Sequence, residues 1–261
     1  MSRRHDHDAG GDPETLARKA ALRDEVWTAL TERKVARFPG ARNRISNFVG
    51  AEAAGRRLRE LDAWRSARTV KSNPDSAQLP VRQYALEDGK TVYMAVPKLA
   101  ERDPFFLLDP DHLADPPRRA VSISNATRSA RRVAVGDLEP VDLVVTGCVA
   151  VGSDGARLGK GGGFADLEFA VAREAGLISD DTLVVTTVHE LQLRDAGVVP
   201  WASHDAPVDL VVTPERVIDC REHRRTRPDG GIVWDSLTEE KIAAIPLLGR
   251  LREQAGEGAN R

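Results

Sequence analysis

Arg157-Leu-Gly-Lys-Gly-Gly-Gly-Phe-Ala-Asp166 is the stretch that decides how the rest of the chain is read. Four glycines fall in the five positions 159–163, with Lys160 among them, Arg157 just before and Asp166 just beyond. An apolar run, Val141 to Val151, precedes the stretch, and a helical pattern, Leu167 to Ala175, follows it. Glycine backbone between a strand and a helix can approach a phosphate closely, because no side chain stands in the way. Neighbouring cations neutralise such a group, and an acid can hold a divalent ion beside it. A tight turn, with glycines kept for packing, is the alternative. Two common phosphate motifs do not fit. Walker A requires Gly-Lys-Ser/Thr, whereas Gly159-Lys160 leads into Gly161. The dinucleotide fingerprint can be forced on only by ending in Phe164, and it belongs on a first strand near the N-terminus.

Working outward, the pattern alternates strands and helices. Glu14 to Arg37 reads as a helix with Pro13 in its first turn, and residues 50–66 as a second. Short β-rich runs follow at residues 69–71, 91–96, 105–108 and 121–124, with a helix over 79–87 between the first two. Residues 141–151, 182–188 and 208–212 carry apolar side chains on both faces, as strands covered on both sides do. Residues 217–219 suggest a short partner strand, and residues 236–252 a C-terminal helix. The predicted fold class is α/β with a mainly parallel sheet. One domain is expected over residues 14–252, between disordered tails at 1–13 and 253–261. Ligands of such sheets bind at the carboxyl ends of the strands, where this reading puts the glycine loop.

Bulk properties exclude several classes. The chain has 261 residues, 30% of them charged, with a net charge of −2. That balance offers nothing to nucleic acid or a membrane, so neither is an expected partner. The basic clusters at 128–132 and 221–227 each read as a solvated face or loop. Two cysteines, Cys148 and Cys220, do not make a disulfide scaffold and read as buried thiols. No run of 18 apolar residues predicts a membrane span. The polar N-terminus does not resemble a secretory leader, and a cytoplasmic setting is expected. Lys19 and Arg23, four apart, share one helix face, which by itself reads as a solvated basic face.

The segment from Asp154 to Asp166 resembles the signature of the 5-formyltetrahydrofolate cyclo-ligase family, Gly-x-Arg-Leu-Gly-x-Gly-x-Gly-Tyr-Tyr-Asp after a Leu-Asp-Leu-type strand, here Val141-Asp142-Leu143-Val144-Val145. Lys19-Ala-Ala-Leu22-Arg23 is similar to the family's N-terminal Lys-x-x-Leu-Arg. Gly89-Lys90 leading to Pro97, and His204-Asp205-x-Pro207-Val208-Asp209 followed by Thr213, fall in the family's order. The resemblance implies the three-layer α/β/α fold shared with sugar-phosphate isomerases and CoA transferases. It also implies the conversion of 5-formyltetrahydrofolate to 5,10-methenyltetrahydrofolate with ATP and Mg²⁺, in a monomer or homodimer. Lys19, Arg23, Gly159, Lys160, Gly161, Gly162, Gly163 and Phe164 would bind ATP, with Arg157 and Lys160 acting on the transferred phosphoryl group. Asp166 and Asp205 would hold the metal ion. Asp75, Phe164 and Ala165 would face the folate-type substrate. Phe164-Ala165 stands where the family has Tyr-Tyr, and Asp75 where it has glutamate. Both departures lie on the folate side. The alternatives are therefore an ATP-binding or regulatory protein without folate turnover, or another ATP-using enzyme on the same scaffold.

Overall fold

A computed structural model describes residues 12–228 and 230–258. The tail expected at positions 1–11 and the last three residues lie outside the described residues. Asp12 and Pro13 open helix α1 (Pro13–Glu32): the Asp12 carboxylate accepts the Thr15 amide at 2.9 Å, a side-chain N-cap. The helix stops short of the predicted Arg37 because Lys34 turns left-handed (φ 56°) and Ala36 pairs with Phe48. The second predicted helix is two, α2 (Ala51–Arg59) and α3 (Asp62–Ser66), parted at an extended Leu61. The break lets the buried Trp64 indole donate to Asp88 at 2.8 Å.

The sheet then begins with β1 (Thr69–Ser72), α4 (Leu79–Glu87), β2 (Thr91–Ala95) and β3 (Phe105–Leu108). Residues 121–124, read as a strand, are instead the joint between α5 (Pro117–Ala120) and α6 (Ile123–Ser129). The Ser122 hydroxyl caps α6 by accepting the Asn125 amide, which outweighs the β preference of Val121 and Ile123. Strand β4 (Arg131–Val133), absent from the sequence reading, pairs with β3.

The long strand expected over 141–151 is also two. Strand β5 (Leu143–Thr146) ends in the main sheet, and β6 (Ala150–Gly152) pairs antiparallel with β7 (Arg157–Leu158) in a small second sheet. The break falls at Gly147, where a Cβ would lie 2.7 Å from both Gln78 Oε1 and Ile45 Cγ2. The glycine loop therefore follows a hairpin, not the central strand. After it come α7 (Phe164–Glu174), β8 (Leu183–Thr187), β9 (Leu193–Arg194), β10 (Leu210–Val212) and β11 (Val217–Asp219). The C-terminal helix is broken into α8 (Glu239–Ala244) and α9 (Pro246–Gly258), because Ile245, ahead of a proline, is extended (φ −119°, ψ 100°). It runs past the predicted end at Arg252.

The main sheet among the described residues has the order β11-β10-β8-β5-β1-β2-β3-β4. Its middle, from β10 to β2, is parallel, and β11, β3 and β4 are antiparallel edges. Strand alternation sorts the core into two layers. Leu143, Val145, Val185, Val92 and Met94 pack with Val26, Leu30 and Leu58 from α1 and α2. Val144, Val184, Tyr93 and Ala95 pack on the other face with Phe169, Val171 and Ala172 of α7 and with Ile242 and Leu248 of the C-terminal helices. The fold is thus the predicted α/β arrangement, a mainly parallel sheet with helices on both faces. Among the described residues, no helix is long and apolar enough to cross a membrane.

Both cysteines belong to the second core layer and are free. Burial pushes each thiol up to about 11. Neither is expected to react with a disulfide reagent such as DTNB in the native protein at about pH 8, and both are expected to titrate when the protein is unfolded. Rapid native modification of either thiol would contradict this packing.

The basic cluster at 221–227 is not a solvated loop throughout. Arg224 and Arg227 both pair with the buried Asp209, and Arg225 pairs with the buried Asp154 at 2.9 Å. Two buried carboxylates need cations, and this segment supplies them. By contrast, Arg128, Arg131 and Arg132 are exposed, as expected.

Candidate active site

Strand order reverses between β1 and β5: from β1 the chain crosses to β2 on one side, and from β5 to β8 on the other. Such a switch point opens a crevice at the carboxyl ends of its two strands. Here those ends are bound together. Asn73, just past β1, accepts the Gly147 amide, just past β5, at 3.1 Å. Its side-chain amide donates to Glu168 of α7 at 2.7 Å, and the buried Lys71 ammonium pairs with the same carboxylate oxygen. Helix α7 is therefore anchored to the switch point one turn after its start. Arg82 of α4, 1% exposed, donates to the carbonyls of Asn73, Pro74, Asp75 and Val121. Burial pushes its guanidinium down to about 10. Four carbonyls in place of a carboxylate hold the turn that presents Asp75.

The glycine loop, residues 159–163, runs from the end of β7 to the start of α7. Gly163 is the helix N-cap in a left-handed conformation (φ 61°), without a side-chain cap. An L-residue there would carry the strain of that conformation. Several segments distant in sequence bring charges to the loop. Lys19 and Arg23 lie on the face of α1 that also buries Leu22, Val26 and Leu30. Lys19 Nζ is 2.7 Å from Asp205 Oδ2, and Arg23 Nε donates to the Gly159 carbonyl at 2.8 Å. Arg157 Nη2 lies 2.5 Å from Asp166 Oδ1, and Lys160 Nζ lies 3.2 Å from Asp75 Oδ1. Backbone amides complete the carboxylates: Ala202 donates to Asp205 and Ala206 to Asp166. His204 Nε2 stands 3.7 Å from Asp205 Oδ1.

The residues singled out in the sequence thus meet around one loop, although Lys19 and Asp205 are 186 positions apart. Phe164 and Ala165, half-buried, are the first two residues of α7, at the loop's end. Lys71, Asn73, Arg82 and Glu168 were not anticipated. Only the contacts of the folded chain distinguish them from ordinary strand, turn and helix residues. Lys241 of α8 was also missed. It donates to the Gly162 carbonyl at 3.0 Å and stands 5.3 Å from the centre of the Phe164 ring.

A cavity opens beside the two acids, lined by Gly163, Asp166, His204, Asp205, Ser236 and Lys241 among others. Burial, together with the neighbouring Asp166 carboxylate, raises Asp205 above the usual aspartate range. Two carboxylates that repel one another at a cavity wall suit a hard divalent cation, which takes one or two carboxylates and completes its shell with phosphate and water. Among the described residues no group of three His, Cys, Asp or Glu side chains could make a metal site without such help. The arrangement can neutralise a polyphosphate and hold its cation.

Comparison with known proteins bears on what this arrangement belongs to. The model of the 5-formyltetrahydrofolate cyclo-ligase family matches residues 15–214. The chain belongs to this family. The resemblance read from the glycine loop is borne out, and the matched span contains every residue that the sequence reading assigned to the site. The chain is 36% identical to a methenyltetrahydrofolate synthase domain-containing protein of Bos taurus over 259 residues, 94% of this chain and 66% of that protein. It is 34% identical to the Homo sapiens protein so described over 250 residues, 92% of this chain and 63% of that one. The chain therefore spans slightly less than two-thirds of these relatives. Among solved structures, the 5,10-methenyltetrahydrofolate synthetase of Aquifex aeolicus superposes with a TM-score of 0.51 at 20% identity, over 80% of this chain and 96% of that one. This likeness supports the cyclo-ligase fold.

Proposed function

We propose that this protein is an ATP- and Mg²⁺-dependent cyclo-ligase that closes 5-formyltetrahydrofolate to 5,10-methenyltetrahydrofolate, releasing ADP and phosphate. The observation that carries the reading is the convergence of Lys19–Asp205, Arg157–Asp166 and Lys160–Asp75 on one glycine loop. Phosphoryl transfer needs positioning and charge neutralisation more than a covalent nucleophile. Lys19, Arg23, Arg157 and Lys160 would neutralise the ATP phosphates, and the amides of residues 159–163 would line them. Asp166 and Asp205 are the residues that would hold Mg²⁺, which when bound neutralises charge on the β- and γ-phosphates.

In the reaction the formyl oxygen attacks the γ-phosphorus and ADP departs. The N10 nitrogen then attacks the activated formyl carbon, and phosphate leaves with that oxygen and takes up the proton that N10 loses. Arg157 and Lys160 would stabilise charge on the transferred group, and Asp75 and Phe164 would face the pterin. The small Ala165 removes a ring that would stack on it.

Purified protein incubated with 5-formyltetrahydrofolate, ATP and Mg²⁺ is expected to accumulate the methenyl product, followed by its absorbance, only when all three are present. ATP binding without product would overturn the folate assignment. It would favour the reading that Phe164-Ala165 motivates, an ATP-binding protein without folate turnover or an enzyme with a different substrate.

A further inference from the structure

The family match ends at residue 214, yet the chain beyond it is built into the site. Residues 224–227 are held on Asp154 and Asp209, and the Ile232 amide donates to Glu174 of α7 at 2.9 Å. Ile232, Ile242, Ile245, Leu247 and Leu248 enter the core layer beneath α7. A segment held at this many points is a rigid support. From it Lys241 reaches the loop and donates to the Gly162 carbonyl. A Cβ at position 163 would lie 2.9 Å from the ammonium, so a larger residue there would push the end of the Lys241 side chain aside.

The peptide geometry gives this bond a consequence. A trans peptide is planar, with its C=O and the following N–H directed oppositely. Holding the Gly162 carbonyl toward Lys241 directs the Gly163 N–H away from the C-terminal segment. Without a held carbonyl, a peptide between two glycines turns over at little cost, because neither residue has a Cβ to resist.

We propose that Lys241 is a positioning residue for phosphate binding: it fixes the Gly162–Gly163 peptide in the orientation that offers its N–H to the phosphate chain. The inference rests on the reading of the loop as an ATP site. The segment past Pro214 is then a working part of that site, supplied by residues the family pattern does not include.

The test is calorimetric titration of the intact protein with MgATP, comparing the wild type with Lys241→Met and Lys241→Arg. Methionine keeps the contact with Phe164 and removes the donor, and arginine restores a donor. We expect Lys241→Met to weaken MgATP about tenfold, the loss of one charge-assisted hydrogen bond's worth of order. Lys241→Arg should recover most of it. A residue that only supports the fold would lower the melting temperature and leave the affinity of the folded protein unchanged, which would overturn the proposal. So would a Lys241→Arg protein as weak as Lys241→Met. Should Lys241→Met fail to fold, Lys241→Arg against Lys241→Leu gives the same comparison. A wild-type protein that binds no MgATP would instead sink the ATP reading itself.

Discussion

Arg227→Met is expected to lower the free energy of unfolding by about 3–5 kcal/mol, the usual cost of breaking a buried ion pair from one side. Arg227 is 6% exposed, and its guanidinium pairs with Asp209 while donating to the carbonyls of Ser179, Asp180 and Thr182. Removing it leaves a carboxylate that is 2% exposed, with Arg224 and the Val184 amide as its remaining partners, and strands three carbonyls. Methionine fills similar volume, so the loss is one of charge and hydrogen bonding. Arg221→Met is the control. Its pair with Asp219 is exposed, and such pairs contribute about 0–1 kcal/mol. Urea unfolding of both variants distinguishes them. Equal effects would mean that residues 221–227 do behave as the solvated loop that their composition suggests. The expected inequality would make the segment beyond the family match part of the folded core.

Lys19→Met is expected to weaken MgATP about 10- to 100-fold, the loss of one charged hydrogen-bond partner for a phosphate. It carries a second signature in pH. Asp205 already titrates above the ordinary aspartate range, through burial first and the Asp166 carboxylate second, with Lys19 opposing both. Through the window between the unfolded value and this raised value, the folded state holds the proton more tightly. Stability therefore falls as pH rises through that window. Removing Lys19 raises the folded value further and widens the window upward. The stability difference between wild type and Lys19→Met should be small at the acid end of that window, where the carboxyl holds its proton, and grow toward about pH 7. Replacing Asp205 by asparagine as well should remove most of that growth, since the unpaired charge goes with it. A Lys19→Met protein that binds MgATP normally, or is equally destabilised at both pH values, would refute the role given to this pair.

Much of this was legible in the chain itself, for reasons that differ by element. The stretch 157–166 could be read because its properties are local: glycines, two cations and an acid in fixed order. Strands β8 and β10 could be read because apolar residues on both faces have few other uses. The α/β class followed from the alternation. The sequence misled where a local preference met a distant neighbour. Residues 121–124 look like a strand until the Ser122 hydroxyl caps a helix. Residues 141–151 look like one strand until Gly147 is seen against Gln78 and Ile45.

By itself, then, the sequence determined the chemistry available at the loop and the layered fold around it, since both follow from residue type and period. The tertiary structure alone decided which charges meet there. Lys19 finding Asp205, Asn73 joining β1 to β5, and Lys241 reaching Gly162 depend on how the sheet is ordered and where the C-terminal segment packs. No local pattern encodes those distances, because each partner comes from a different element and meets the other only after the core has closed.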